Sequence, residues 1–353
     1  MHTLVQCIHL ASRTLWLVHA PTLQNFLPLS EHVYTILPTI RIQHDQLVLY
    51  DTIDSNGFRS AKQIENEKNL TRGEFNGYMS PKTKSKVKKY LTTWIESAVM
   101  IRNSHLRNQL DKVPYLTFVT LTLPSKQMHS DNEIKRKCLT PFVATLQRKF
   151  DVWEYFWRAE SQANGNIHFH LIVDSFIDHR KLRSEWNKCI NKLKYVDEFA
   201  MSWGHHNPNS TDIHSLKNIN SPSSYLVKYC CKSDGYRKID GRIHGCSDDL
   251  RKLSPYEDLI DNKMFEFVQK VESDDKAKVF KDDNFKVIKC SVKAMIEKYY
   301  PRLERELIKH KVAMAFQLYK IELPPEIQAM TEKKERKKLI QLELFGVNQY
   351  GYV

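Results

Sequence analysis

The chain has 353 residues, a formal net charge of +13 and a pI near 9.2, which suits a polyanionic partner such as nucleic acid. Its 41% hydrophobic and 27% charged residues are typical of a globular protein, and its length allows two or three structural units. Seven cysteines without regular Cys-x-x-Cys spacing argue against a disulfide framework and a zinc ribbon, and no stretch approaches the roughly 20 apolar residues of a membrane span.

The beginning of the chain does not resemble a secretion signal. The apolar residues between Met1 and Pro21 are interrupted by His9, Arg13 and His19, so the uninterrupted apolar run of a signal peptide is missing. Together with the cysteine pattern, this predicts a protein of the reducing cytoplasm, with no membrane partner.

Residues 1–70 are predicted to form a poorly patterned N-terminal extension, to which we assign no function. The one local signal in it is a possible hairpin that pairs residues 39–42 with residues 46–50.

Residues 71–111 are predicted to contain a basic amphipathic helix. Ser80 and Pro81 form a favourable helix start, and apolar residues follow at helical spacing. Lysines near a helix N-terminus oppose the macrodipole, so helix stability does not explain them. They either bind phosphate or form a solvated basic face. The candidate DNA-binding lysines in this helix are Lys82, Lys84, Lys86, Lys88 and Lys89.

Residues 112–254 alternate apolar strands with helices. This pattern predicts an α+β domain, with a central, mainly antiparallel sheet and helices packed on its faces. The predicted strands are residues 115–123, 152–160, 167–174 and 211–217, and the predicted helices are residues 131–149, with a kink at Pro141, 178–193 and 222–233.

The strand at residues 167–174 carries the most informative motif. His168 and His170 are two residues apart, so both imidazoles lie on one side of the strand and can converge on one metal ion. The alternative is a pair of packed, hydrogen-bonded histidines. Glu160 ends the preceding strand, and the Asn-Gly turn that follows can bring it near both histidines.

The predicted helix at residues 222–233 carries Tyr225, Lys228 and Tyr229. Spacing of four residues places both phenols on one helix face, with Lys228 beside them and Lys232 on an adjacent face. Such a tyrosine pair is ordinarily core packing. A metal beside two phenols is, however, suited to breaking phosphodiester bonds.

In this order, the apolar strand, the His-x-His strand and the Tyr-x-x-Lys-Tyr helix resemble the HUH endonuclease superfamily. The resemblance covers about residues 112–254 and is greatest to the rolling-circle replication initiators of small single-stranded DNA phages and plasmids. It implies the HUH nuclease fold, with helical extensions outside the domain. It also implies a DNA nicking and rejoining endonuclease that acts on single-stranded origin DNA in the cytoplasm of a bacterial host.

The resemblance also implies roles for individual residues. His168 and His170 would bind a divalent metal, Mg²⁺ or Mn²⁺, with Glu160 as the third ligand. Tyr225 and Tyr229 would alternate as nucleophiles, and Lys228 would stabilise the negative charge that develops. Lys232 is a further DNA-binding candidate, and the expected partners besides DNA are a host helicase and polymerase, because the chain lacks a phosphate-binding Gly-x-x-x-x-Gly-Lys motif of its own.

Two other functions remain open. An HUH transposase or mobilisation relaxase would use the same chemistry, and a non-catalytic DNA-binding regulator would use an inactivated HUH scaffold. The complete set of histidines, tyrosines and lysine argues against the regulator.

Two weaker signals lie outside this motif set. His205, His206 and His214 could form a second metal site or belong to an ordinary polar loop. Residues 255–353 are predicted to be a mostly helical C-terminal region, with a helix over residues 292–320. This region is either a docking module or a helical appendage.

Overall fold

A computed structural model describes residues 35–54, 65, 77–103, 112–215 and 236–319. These residues divide into two units. The first contains residues 35–54, 65 and 257–299, and the second contains residues 77–103, 112–215, 236–256 and 300–319. The four-part division of the chain made from the sequence stays a prediction.

The described elements follow in chain order, with a π-helical turn at Lys135–Leu139 between α2 and α3 and a 3₁₀ turn at Asp249–Lys252 after β7. They are β1 (Thr35–Ile42), β2 (Gln46–Asp54), α1 (Pro81–Asn103), β3 (Thr117–Leu121), α2 (Asp131–Ile134), α3 (Thr140–Phe150), β4 (Tyr155–Ser161), β5 (Ile167–Val173), α4 (His179–Asn191), α5 (Tyr195–Trp203), β6 (Thr211–Ser215), β7 (His244–Cys246), β8 (Tyr256–Leu259), α6 (Asn262–Glu272), β9 (Lys278–Lys281), β10 (Phe285–Lys289), α7 (Val292–Tyr299) and α8 (Pro301–Leu318).

The first unit is built on a five-stranded sheet with the order β8-β1-β2-β10-β9. The predicted hairpin is confirmed, since β1 and β2 are antiparallel and Thr39 pairs with Tyr50. The sequence analysis did not identify β8, β9 and β10. These strands are short, and β10 pairs with β2 from a distant part of the chain, so local periodicity carries little signal for them.

The second unit contains a five-stranded antiparallel sheet with the order β6-β3-β5-β4-β7. Alternate residues of its strands lie on opposite faces. Phe169 of β5 contacts Trp186 of α4, with 6.2 Å between ring centroids, and Trp186 contacts Phe142 of α3 at 5.2 Å. On the other face, Phe156 of β4 contacts Tyr90 of α1 at 6.3 Å. The predicted α+β fold, with helices on the faces of an antiparallel sheet, is confirmed.

The basic helix forms as predicted. The hydroxyl oxygen of Ser80 accepts a hydrogen bond from the backbone N of Thr83 at 3.1 Å, and Pro81 is the first helical residue. The apolar residues at helical spacing are all buried, namely Val87, Leu91, Trp94, Ala98 and Ile101. Their burial anchors α1 against the sheet and gives its lysines fixed positions on the remaining surface.

Two predicted helices are each divided near a proline. The helix predicted over residues 131–149 is interrupted by the π-helical turn, and Pro141 lies at the start of α3, where the missing N–H is tolerated. The helix predicted over residues 292–320 is two helices, and the second begins at Pro301 because proline disfavours helical backbone in the residue before it. Residue 320 lies outside the described residues.

The turn between β4 and β5 depends on one glycine. Gly165 has φ of +84°, and a side chain added there would meet no other atom within 4 Å. We therefore expect Gly165→Ala to lower the free energy of unfolding by about 1 kcal/mol through backbone strain alone. Gly165→Asn should cost less, since asparagine tolerates positive φ. Urea unfolding of both variants measures the difference, and an alanine variant as stable as the native protein would contradict it.

Candidate metal centre

Three possible metal ligands meet on the face of the second sheet that α1 contacts. His168 and His170 alternate with the buried Phe169 along β5, so both imidazoles lie opposite Phe169. Glu160 in β4 pairs directly with His168. Its Oε1 is 2.8 Å from Nε2 of His168 and 2.9 Å from Nε2 of His170, and the two Nε2 atoms are 3.0 Å apart. We call these three residues the triad.

The donor atoms of the triad fit a divalent cation. Hydrogen bonds satisfy this arrangement poorly, because Oε2 of Glu160 and Nδ1 of His168 are buried and have no hydrogen-bond partner among the described residues. A cation between the three converging atoms would accept a lone pair from each. Two imidazole nitrogens and one carboxylate oxygen suit Mn²⁺ and also leave coordination positions for Mg²⁺.

The electrostatics of the triad favour the forms that bind metal. Burial disfavours the charged carboxylate of Glu160, but hydrogen bonds to His168 and His170 outweigh it and hold the pKa of Glu160 well below its usual range. Burial lowers the pKa of His170, against the opposing effect of the hydrogen bond to Glu160. Near neutral pH, an ionised carboxylate therefore faces a neutral imidazole, as metal ligation requires.

Residues around His170 fix the orientation of its ring. Thr120 in β3 pairs with His170, and its hydroxyl oxygen is 3.2 Å from Nδ1 of that histidine. The ring of Phe118 stacks on the imidazole at a centroid distance of 5.4 Å and an interplanar angle of 13°. With Nδ1 held by Thr120, Nε2 is directed toward Glu160. Such outer contacts are common around metal-binding histidines.

A buried cation lies beside the triad. Arg158 pairs with His170 across β4 and β5, on the same face, and its positive charge contributes to the lowered pKa of His170. His244 in β7 pairs with Arg158 on the other side, and burial together with the charge of Arg158 lowers the pKa of His244 to about 4. The sequence analysis missed both residues. Arg158 could have been found, since it lies two residues before Glu160 and so shares its strand face.

The turn that carries the triad is held by a polar network. The guanidinium of Arg237 donates from Nε to the carbonyl oxygen of Gly165 at 2.7 Å, and from its two terminal nitrogens to the carboxylate of the buried Asp131 at 2.6 and 2.7 Å. Asn166 accepts from the backbone N of Gln127 at 2.8 Å. These residues join the β4–β5 turn to the start of α2 and to the segment before β7. No sequence pattern indicated these long-range contacts.

The other predicted site residues have different outcomes. Tyr225, Lys228, Tyr229 and Lys232 lie outside the part of the chain that the structure describes, and their roles stay predictions. The five candidate DNA-binding lysines lie in the first half of α1, where Lys82, Lys86 and Lys88 are exposed; their DNA contacts also stay predictions.

The second metal site suggested at His205, His206 and His214 does not form. Within the described residues, the triad is the only group of three His, Cys, Asp or Glu ligand atoms that lie within 4.8 Å of one another. Nε2 of His214 is instead 2.8 Å from the carboxylate of Asp212. This second-site hypothesis is wrong.

The fold and the triad define a candidate metal-binding protein of the α+β class. Residues 116–234 match the family described as replication-associated protein ORF2. The matched stretch contains the triad and the sequence positions of Tyr225, Lys228 and Tyr229. A search of the curated proteins found no match. Over about a third of its length, the chain is therefore similar to replication-associated proteins.

Among the described helices, none has both the length and the apolar character that crossing a bilayer requires.

We expect Glu160→Gln and His170→Ala each to lower the affinity for Mn²⁺ by more than about 100-fold, which is the upper range for losing an outer-shell partner rather than a ligand. Isothermal titration calorimetry measures the affinity. His214→Ala is the matched control, because this histidine lies on the same sheet but outside the triad. Unchanged Mn²⁺ affinity in both triad variants would show that the three side chains are only hydrogen-bonded to one another.

Proposed function

We propose that this protein is a replication initiator that nicks single-stranded DNA at an origin through a 5′-phosphotyrosine intermediate and later rejoins it. The observation that supports this most directly is the triad of Glu160, His168 and His170 within the stretch that is similar to replication-associated proteins. A cluster of metal ligands in such a stretch is suited to phosphodiester chemistry.

The triad is accessible to a strand of DNA. The side chains of Glu160 and His168 are each 13% exposed and that of His170 is 9% exposed, so the ligand atoms lie in a shallow recess of the sheet. A scissile phosphate can approach such a site without unfolding the sheet. Arg158 contributes a fixed positive charge beside the triad, which favours the approach of an anion.

In the proposed reaction, the phenolic oxygen of Tyr225 or Tyr229 attacks the scissile phosphorus. The phenol loses its proton, the bond from phosphorus to the 3′ oxygen breaks, and its electron pair leaves with that oxygen, which takes up a proton. The products are a 5′-phosphotyrosine and a free 3′-OH. Rejoining reverses these steps, with the 3′ oxygen attacking and the phenol leaving.

A phenol with a pKa near 10 is a poor nucleophile at neutral pH, so the site must offset negative charge. A divalent cation held by Glu160, His168 and His170 would draw electron density from the phosphate and so make its phosphorus more electrophilic. We assign Lys228 to stabilise charge on the phosphate or the phenolate.

Partners and alternatives follow from the same proposal. The free 3′-OH would prime a host polymerase after a host helicase opens the duplex, and the lysines of α1 would contact the DNA backbone. The transposase or relaxase alternative uses the same chemistry, but the replication-associated description of the matched family favours the initiator. The regulator alternative has no use for a complete metal triad.

We expect His168→Ala to reduce nicking of single-stranded origin DNA by roughly a thousandfold, since metal catalysis contributes several kcal/mol and each 1.4 kcal/mol is a factor of ten. Binding of the uncleaved strand should change little, because affinity comes mostly from phosphate contacts. Gel analysis of end-labelled oligonucleotides measures cleavage, and His214→Ala serves as the control. Nicking at the native rate with Mg²⁺ or Mn²⁺ present would refute the proposal that the triad acts in cleavage.

The tyrosine pair gives a separate prediction. Tyr225→Phe and Tyr229→Phe should each retain single-turnover nicking and a covalent DNA adduct, and the double variant should lose both. Closed circles from repeated rounds should fail in each single variant, because one tyrosine cannot accept the new strand while it holds the old one. Mass mapping of the adduct peptide identifies the nucleophile. An adduct on one tyrosine alone, with full replication in the other's Phe variant, would indicate a single nucleophile.

A further inference from the structure

A second polar recess lies on the opposite face of the sheet from the triad. It is a cavity of about 600 Å³ between α4, α5 and the loop that leads to β6. The contact of Phe169 with Trp186 places α4 on the face away from His168 and His170. The charged and polar residues at its edge include His179, Arg180, Arg183, Lys188, His206 and Asn207.

The walls of this cavity are fixed by two asparagines. Asn187 of α4 donates to the carbonyl oxygen of Pro208 at 3.3 Å and accepts from the hydroxyl of Ser210, which holds the loop before β6 against the helix. Asn191 exchanges two hydrogen bonds of 3.0 Å with Asp197, which holds the start of α5. The recess is therefore built into the packing of three elements.

The cavity is electropositive. Arg180 and Arg183 form no ion pair with any described residue, and Nε of Arg183 is buried without a hydrogen-bond partner among them. Lys188 shares Glu185 with Lys149, so that carboxylate is divided between two lysines. Among the described residues, no carboxylate side chain lines the cavity itself. The excess charge favours an anionic ligand.

Exposed aromatic rings continue from the cavity along α5. Val196 lines the cavity, and Phe199 and Trp203 follow it at helical spacing on the same side of the helix. Their rings stack at a centroid distance of 6.0 Å and an interplanar angle of 20°, and His205 contacts Phe199 edge-on at 5.2 Å. Trp203 is nevertheless 69% exposed. A large ring that is stacked and still open to solvent has a free face for another planar group.

We propose that this α4–α5 surface, formed by Arg180, Arg183, Lys188, Phe199, Trp203 and His206, binds single-stranded DNA away from the triad. The arginines and the lysine would contact backbone phosphates, and a base would stack on Trp203. Cations next to exposed stacked rings are suited to a single strand, whose base faces are accessible, and less to a duplex or an acidic peptide. The choice of DNA as the polymer rests on the proposed function.

The test measures binding without cleavage. Fluorescence anisotropy follows a labelled 30-nucleotide oligothymidine with EDTA present, so no metal-dependent step contributes. We expect the double variant Arg180→Gln, Arg183→Gln to weaken binding and to flatten the log-log salt dependence by roughly 0.7 for each phosphate contact that the substitutions remove. Lys181→Gln is the matched control, because Lys181 is exposed on the same helix but does not line the cavity.

The aromatic half of the surface has its own control. Trp203→Ala should weaken oligothymidine binding on the order of tenfold. Met201→Ala should not, although Met201 is 86% exposed on the same helix. A 5-iodouracil oligonucleotide should crosslink to the peptide that contains Trp203. Thermal melting of each variant confirms that it is folded.

Three outcomes would overturn this proposal. They are a salt slope for the double arginine variant equal to that of Lys181→Gln, equal binding by the Trp203 and Met201 variants, and a crosslink only elsewhere in the chain. Failure of the proposed nicking function appears separately, as native nicking activity in His168→Ala. It leaves these metal-free binding results unchanged.

Discussion

The antiparallel register between β4 and β5 determines whether the triad can exist. Glu160 pairs with His168, and Arg158 pairs with His170, so four charged or metal-ligating side chains share one face of the sheet. A slip of one residue would move Glu160 to the face covered by α3 and α4. The carboxylate would then be buried among apolar groups, at a cost of several kcal/mol unless it took up a proton. The alternating apolar residues of β5 oppose such a slip, since Phe169 would no longer pack against α4.

The polar network at the end of this hairpin supports the same register. Arg237 binds the turn at Gly165 and the carboxylate of Asp131 together, and Asp131 is buried while Arg237 is partly exposed. Its hydrogen bonds to Arg237, to Gln127 and to the backbone N of Asp240 lower the pKa of Asp131 despite its burial, which acts in the opposite direction. The stability from this carboxylate is present above its unfolded pKa near 4 and is lost as the pH falls further.

Much of the triad could be predicted from the sequence because its parts are local. The period of two along β5 and the short Asn-Gly turn leave Glu160, His168 and His170 few other arrangements. The pairing of β7 with β4, which brings His244 beside Arg158, joins distant segments and has no local signature. The same holds for β10, which pairs with β2, and for the contacts of Arg237. The α4–α5 surface was missed for a related reason: its cations and rings come from two helices whose packing depends on Asn187 and Asn191.

The position of Thr120 has a consequence for the stability of the sheet. Its hydroxyl joins β3 to His170 of β5, and Glu160 adds β4, so the triad and its support involve the three central strands. A ligand that binds only the paired strands stabilises the folded state by an amount that grows with its free concentration, about 2.7 kcal/mol at one hundred times its dissociation constant. Occupancy of the triad would therefore act as a crosslink across the middle of the sheet, and the metal supply of the cell would set the melting temperature of this unit as well as its chemistry.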